Sequence, residues 1–221
     1  KNTYGTGCFA LTNTGTDIVK SDNGLLTTVA YQIEGEDSLY ALEGSVPIAG
    51  AAVQWLRDNL NIIKSSDEIE SLAMGEKDNG DVYFVPAFSG LFSPHWDETA
   101  RGALFGLTRF SNKSHIARSV LESVAFQSFE LLQSMEKDLD IEFQNLKVDG
   151  GMISNNLLMQ FQSDIINKTI ISQEINEITA LGAGIASFIF AENLNIEDVG
   201  DFISTSKTCL LYTSDAADEA D

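Results

Sequence analysis

Five residues of this sequence combine the types and spacings that let a backbone close on an anion or a flat ring: Thr6, Gly50, Gln54, Gly151 and Asn155. Thr6 sits between Gly5 and Gly7. Flanking glycines let the chain bend tightly and turn its N–H groups outward, and the threonine hydroxyl adds a donor. A glycine-threonine-glycine triplet is also a common plain turn. Gly151 closes the run Asp149, Gly150, Gly151 after apolar Leu146 and Val148, and Asn155 follows four residues later. A strand, a glycine turn and a helix start recur where a backbone must approach a ligand closely. Gly151 has no side chain to block a purine or ribose, and the Asn155 amide at the helix start reaches the same space. The bland form of the same pattern is a strand-to-helix connection with an asparagine cap. Gly50 and Gln54 lie four apart and share one helical face. Glycine inside a helix costs roughly 1 kcal/mol relative to alanine. Another backbone or a flat ligand close by would offset that, as would plain helix-to-sheet packing.

Other chemistry-bearing residues read as structure. His95, Trp96, Asp97 and Arg101 crowd one loop, but His95 and His115 are too far apart for a metal pair. Asp97 and Arg101 read as a structural or exposed pair. Cys8 and Cys209 are widely separated and make neither a disulfide framework nor a zinc site, which fits a reducing cytoplasm.

The elements that must position the five residues follow from periodicity and turn chemistry. Strands are expected at 9–11, 25–31 and 39–42, separated by turns and forming an antiparallel meander. Helices are expected at 46–60, with Pro47 in the first turn, and at 66–73. A short buried strand at 82–85 precedes a long loop, 86–108. Residues 113–136 carry apolar Ile116, Val120, Leu121, Val124, Leu131, Leu132 and Met135 at helical spacing. Then come a strand at 146–148, a helix at 155–167, a strand at 169–172 and a helix at 179–190, read as buried from its apolar content. Strands first and alternating helix and strand afterwards give an α/β fold, a mixed sheet with helices packed on it.

The chain has 221 residues and a formal net charge of −20, from 13 basic and 33 acidic residues. That charge disfavours nucleic acid, whose binding needs Lys and Arg against phosphates. It leaves a single nucleotide open, because backbone N–H groups and a metal ion can hold one. No run reaches the roughly 20 apolar residues of a membrane-spanning helix. The opening residues carry no signal-peptide pattern and read as the middle of a longer chain. The end, CLLYTSDAADEAD, lacks periodicity and resembles a translated adapter read. The expected division is therefore a lobe over 1–207 and an artefactual or disordered tail over 208–221.

The segments KNTYGTGCF, NGLLTT, YALEG, QWLRD, VPAF, ARGALFGLTR, VDGG and TALGAG, in that order, resemble the FGGY carbohydrate kinase family, and within it the members that act on glycerol. The resemblance covers about residues 1–207. It implies the C-terminal lobe of a two-lobed enzyme built on the ribonuclease-H-like ATPase fold of actin, hexokinase and Hsp70. It implies ATP and Mg²⁺ as cofactors, and phosphoryl transfer from ATP to glycerol, giving sn-glycerol 3-phosphate and ADP. It assigns Thr6, Gly50, Gln54, Gly151 and Asn155 to ADP/ATP, and Phe9, which alone reads as strand core, to a wall against glycerol. It implies a catalytic aspartate shortly upstream of Lys1, an N-terminal lobe that this chain also lacks, an inactive fragment, and a homo-oligomer for the full-length enzyme. Another sugar or polyol kinase, a one-lobed nucleotide-binding module and an actin- or Hsp70-like ATPase are the alternatives, since fold alone does not fix function.

Overall fold

The computed structural model describes residues 1–172, 178–192, 194 and 209–211. Nine strands and five α-helices are formed among them: β1 (Asn2–Tyr4), β2 (Cys8–Gly15), β3 (Leu26–Tyr31), β4 (Leu39–Val46), α1 (Gly50–Asp58), α2 (Glu68–Ala73), β5 (Tyr83–Val85), β6 (Ala103–Phe105), α3 (Lys113–Leu139), β7 (Asn145–Asp149), α4 (Asn156–Ile166), β8 (Thr169–Ser172), α5 (Ile178–Glu192) and β9 (Cys209–Leu211). Seven strands make a mixed sheet in the order β3-β4-β2-β1-β7-β8-β9, while β5 and β6 pair as a separate hairpin. β1 pairs antiparallel with β2 and parallel with β7, so the sheet changes sense along the β1–β7 seam.

Sequence periodicity locates most elements but not their order. The expected meander is not formed. β4 inserts between β2 and β3, pairing antiparallel with both. Pairing order is a non-local choice that strand patterns do not carry. β1 lies inside what reads as a glycine turn, and β6 lies inside the long loop, where three residues pair with β5. The helix expected from residue 46 starts at Gly50, because β4 continues to Val46 and leaves Pro47 in the connection.

One face of the sheet is closed by α3 and α4. Tyr4, Cys8, Ala10, Leu42, Val46, Leu146, Val148 and Ile170 bury against Val120, Leu121, Val124, Leu131, Leu158 and Met159 in a single core. α3 is 27 residues long, about 40 Å at 1.5 Å per residue. Its start is fixed by a capping box: Asn112 accepts from the Ser114 and His115 N–H groups, and His115 Nδ1 accepts from Asn112 N–H. Its end is a left-handed Asp140, φ 51°. Some polar groups under the sheet are paired across elements, while Asn2 Oδ1 and Gln162 Nε2 are buried with no hydrogen-bond partner among the described residues. Asn2 donates to Ser128 (3.2 Å) and Tyr4 O–H to Gln162 Oε1 (2.8 Å). Glu122, buried on α3, accepts from Arg118 (2.9 Å) and Asn79 (2.8 Å).

The apolar helix α5, expected to be buried, has no buried residue. Among the described residues no strand or helix closes over it to the extent that α3 and α4 close over the sheet. Of the expected tail, only Cys209–Leu211 is described; its backbone pairs antiparallel with β8 as β9, and the rest lies outside the described residues.

Candidate active site

β1 and β7 run parallel and end at Tyr4 and Asp149. Each strand is followed by a glycine turn, and ligands of α/β sheets collect outside such strand ends. A cleft of about 580 Å³ opens there, lined by Gly5, Thr6, Gly50, Gln54, Gly151 and Asn155 among others. The five residues singled out for ligand approach therefore meet in one cavity, although up to 149 positions separate them, Thr6 to Asn155.

The floor of the cleft is backbone against backbone. Ala49 and Ala51 donate N–H bonds to the Thr6 carbonyl (2.9 and 3.0 Å), and Gly50 donates to the Gly5 carbonyl (3.0 Å). The turn thus caps the first N–H groups of α1 in place of a side chain, which Ala49 cannot supply. A Cβ on Gly50 would stand 2.7 Å from the Gly5 oxygen, so another backbone is what requires glycine here. Gly50 is also the first residue of α1, not an interior one, so the interior glycine cost does not arise. Gly7 is fixed similarly by the Val46 carbonyl, 2.4 Å from its added Cβ. Gly150 combines a left-handed φ of 96° with the Tyr4 carbonyl 2.4 Å from an added Cβ, so only glycine fits.

The groups facing the cavity are different. The Thr6 side chain is exposed, and its hydroxyl has no partner among the described residues. Gln54 is exposed one turn beyond Gly50. Gly151 begins a 3₁₀ turn, Gly151–Ser154, and an added Cβ would meet nothing within 4 Å. Asn155 caps α4: its Oδ1 accepts from Leu158 N–H at 2.8 Å. The cap reading and the ligand reading are compatible, because the cap occupies the oxygen and leaves the amide N–H groups for the cleft.

Phe9 does not line this cleft. It alternates with Cys8 and Ala10, which face the α3 side, and so stands on the opposite face of β2, 45% exposed. Its exposure is what separates it from strand core. Asp149 is buried and ion-paired with Lys1 (3.0 Å), and it is not among the cleft residues. The residues His95, Trp96, Asp97 and Arg101 hold their loop. His95 bonds Glu130 (3.1 Å), and the Trp96 indole N–H donates to the Gly24 carbonyl (2.7 Å). Asp97 accepts from Thr99 and the Ala100 N–H, while Arg101 donates to the Glu98 and Ala100 carbonyls, so the two do not pair directly. The Thr99 hydroxyl and N–H, with smaller help from Ala100 and Arg101, hold the Asp97 carboxyl below its ordinary value despite some desolvation.

Three wall residues went unnoticed in the sequence: Ser66, Asp67 and Glu70, at the start of α2. Arg57 Nη1 donates to Ser66 Oγ (3.2 Å), and Glu70 Oε1 accepts from Leu157 N–H (3.1 Å). Nothing in their local pattern marks them. Their position comes from α2 packing against α3 and α4.

Comparison with known proteins places this geometry in a context. Residues 1–191 match the model of the FGGY family of carbohydrate kinases, C-terminal domain. The chain is 60% identical over 187 residues to a glycerol kinase of Brucella anthropi, covering 85% of this chain and 38% of that protein. It is 58% identical to a glycerol kinase of Methylobacterium radiotolerans, covering 85% of this chain and 37% of the relative. It therefore spans well under half the length of these curated relatives. Among solved structures, the Plasmodium falciparum glycerol kinase with ADP superposes with a TM-score of 0.84 at 38% identity, over 96% of this chain and 42% of that one. A ligand-bound xylulose kinase of Lactobacillus acidophilus gives 0.79 at 19% identity, a likeness of fold alone.

Proposed function

This chain belongs to the FGGY family of carbohydrate kinases, as its C-terminal domain, and from that premise we propose that it is the nucleotide-binding half of an ATP-dependent glycerol kinase. The observation that supports the reading is the convergence of Thr6, Gly50, Gln54, Gly151 and Asn155 on one cleft beyond the ends of two parallel strands. We assign ADP or ATP to that cleft, with phosphates toward the Gly5–Thr6 turn and the purine over Gly151. The solved relative with ADP and the glycerol kinases at 58–60% identity support the ligand and the acceptor.

In this reading the free Thr6 hydroxyl donates to a phosphate oxygen, and Gln54 adds a donor one helical turn away. Phosphoryl transfer depends on positioning and charge stabilisation more than on covalent chemistry. The cation fits this lobe only as a passenger on the phosphates. Among the described residues no group of three or more His, Cys, Asp or Glu side chains is arranged to hold a metal ion. Mg²⁺ retains several waters and bonds phosphate oxygens readily, so such a cage is not required. When bound, it would neutralise phosphate charge.

We nominate no base within this chain. Asp149 is tied to Lys1, and Asp67 and Glu70 stand on the α2 wall. The proposal places the base shortly upstream of Lys1, with Phe9 as an apolar wall for the glycerol carbons. It also places the whole enzyme in the cytoplasm as a homo-oligomer. No described helix is long and apolar enough to cross a membrane.

Calorimetric titration with ADP tests the nucleotide assignment. The chain should bind ADP, and Thr6→Val should weaken it about ten- to a hundredfold, one hydrogen bond to a charged group, without changing the melting temperature. Glycerol-dependent ATP turnover by the protein encoded at full length tests the acceptor; equal or faster turnover with xylulose or gluconate would overturn it.

A further inference from the structure

The assignment above leaves the α2 wall of the cleft without a role, and that wall is chemically unlike the rest. The floor near Thr6 is backbone and hydroxyl. The far wall carries two carboxylates, Asp67 and Glu70. α1 connects the two ends: Gly50 touches the Gly5 turn, and Arg57, seven residues on, holds Ser66. Seven residues of helix put the ends roughly 10 Å apart, about the reach from the phosphates of a nucleotide to its base.

The wall is also oriented. Glu70 Oε1 is held by Leu157 N–H in the first turn of α4 (3.1 Å), next to Asn155. Its other oxygen has no hydrogen-bond partner among the described residues. Asp67 precedes α2 and makes no capping bond with its side chain. Asn155 Oδ1 already accepts from Leu158 N–H, so its two amide N–H groups are the donors it offers the cleft. Ionised carboxylates accept and cannot donate. They repel phosphate, and they favour a ligand edge that presents an N–H.

Resting on the nucleotide reading, we propose that Glu70 is a specificity-determining residue that accepts a hydrogen bond from the exocyclic 6-amino group of the bound purine. Asn155 donates to ring N7 on the same edge, an acceptor in every purine. The Glu70 contact selects adenine over hypoxanthine and guanine, whose 6-oxo group is an acceptor and would face the carboxylate unpaired. Asp67 contributes charge that keeps the polyphosphate at the Thr6 end.

The test is direct binding of ADP, IDP, GDP and inorganic pyrophosphate to the chain and to its Glu70→Gln and Asp67→Asn variants, with circular dichroism to verify folding. Glutamine keeps an oxygen for Leu157 N–H and turns an amide N–H₂ toward the base. ADP affinity should fall about tenfold in Glu70→Gln and IDP affinity should rise, narrowing or inverting the preference; polar base-edge pairs discriminate by such factors. Asp67→Asn should leave the ADP-to-IDP ratio unchanged and strengthen pyrophosphate. If ADP binds but Glu70→Gln moves ADP and IDP equally, or if GDP binds the unaltered chain more tightly than ADP, this inference is overturned and the nucleotide reading stands. If the folded chain binds none of the nucleotides, the nucleotide reading itself fails.

Discussion

The backing of the cleft and its rim use glycine for opposite reasons, and adjacent residues show it. Gly150 lies behind the floor, where β7 leads into the cleft, in a left-handed conformation with the Tyr4 carbonyl where a Cβ would go. Gly151, next in the chain, faces open space. The first is demanded by the fold. The second is demanded by nothing among the described residues, which is the mark expected of a position kept bare for a ligand. A glycine-glycine pair in a sequence thus conceals two constraints that only the surroundings separate.

The largest effect is expected behind the floor. Gly150→Ala combines backbone strain with a clash against main chain, and should destabilise by about 3–5 kcal/mol, read as a lower urea midpoint. Unchanged stability would show that the β1–β7 seam can spread, and the contrast with Gly151 would collapse.

Next in size is a pH effect beneath the floor. Burial raises the Tyr4 phenol well above its ordinary range and pushes the Cys8 thiol up to about 12. The folded state therefore keeps protons that the unfolded chain releases at its ordinary values, 9.0 for the thiol and 10.0 for the phenol. The stability these groups contribute is complete below pH 9 and is lost as pH rises through 9 toward 12. The slope should approach about 1.4 kcal/mol per pH unit for each group. Cys8→Ala should make the slope shallower from pH 9 upward, measured as urea midpoints between pH 8 and 11. No rim substitution should alter that slope.

The smallest effect on stability is expected at the rim. Gly151→Ala should change the urea midpoint by no more than about 0.5 kcal/mol, as surface changes usually do. It should still weaken ADP about tenfold if a purine lies against this position. Equal ADP affinity would mean that the base sits elsewhere.

The same contrast explains what the sequence could and could not reveal. Thr6, Gly151 and Asn155 were legible because strand, glycine turn and helix start are local patterns. α3 was legible because 27 residues repeat one apolar face. Asp67 and Glu70 were not, because their place in the cleft is set by α2 packing on α3 and α4, contacts 40 or more positions away. β1 was hidden because three residues beside a glycine turn carry no alternation to detect. β4 entered between β2 and β3 through register with both neighbours, which no single strand encodes. Gly50 drew attention through a helix-interior cost that does not arise at the first residue of α1; of the offsets considered, the close backbone is the one the structure contains.

The capping of α1 by the Gly5–Thr6 turn also has a mechanical consequence. Three hydrogen bonds join the turn to the helix start, so Thr6 and Gln54 ride on one rigid body and cannot approach or separate independently. Any widening or narrowing of the cavity must occur elsewhere along its lining, at the Gly151–Asn155 segment or at the α2 wall. Spectroscopic labels on Gln54 and Ser154 would report that breathing, while a pair on Thr6 and Gln54 would stay at fixed separation.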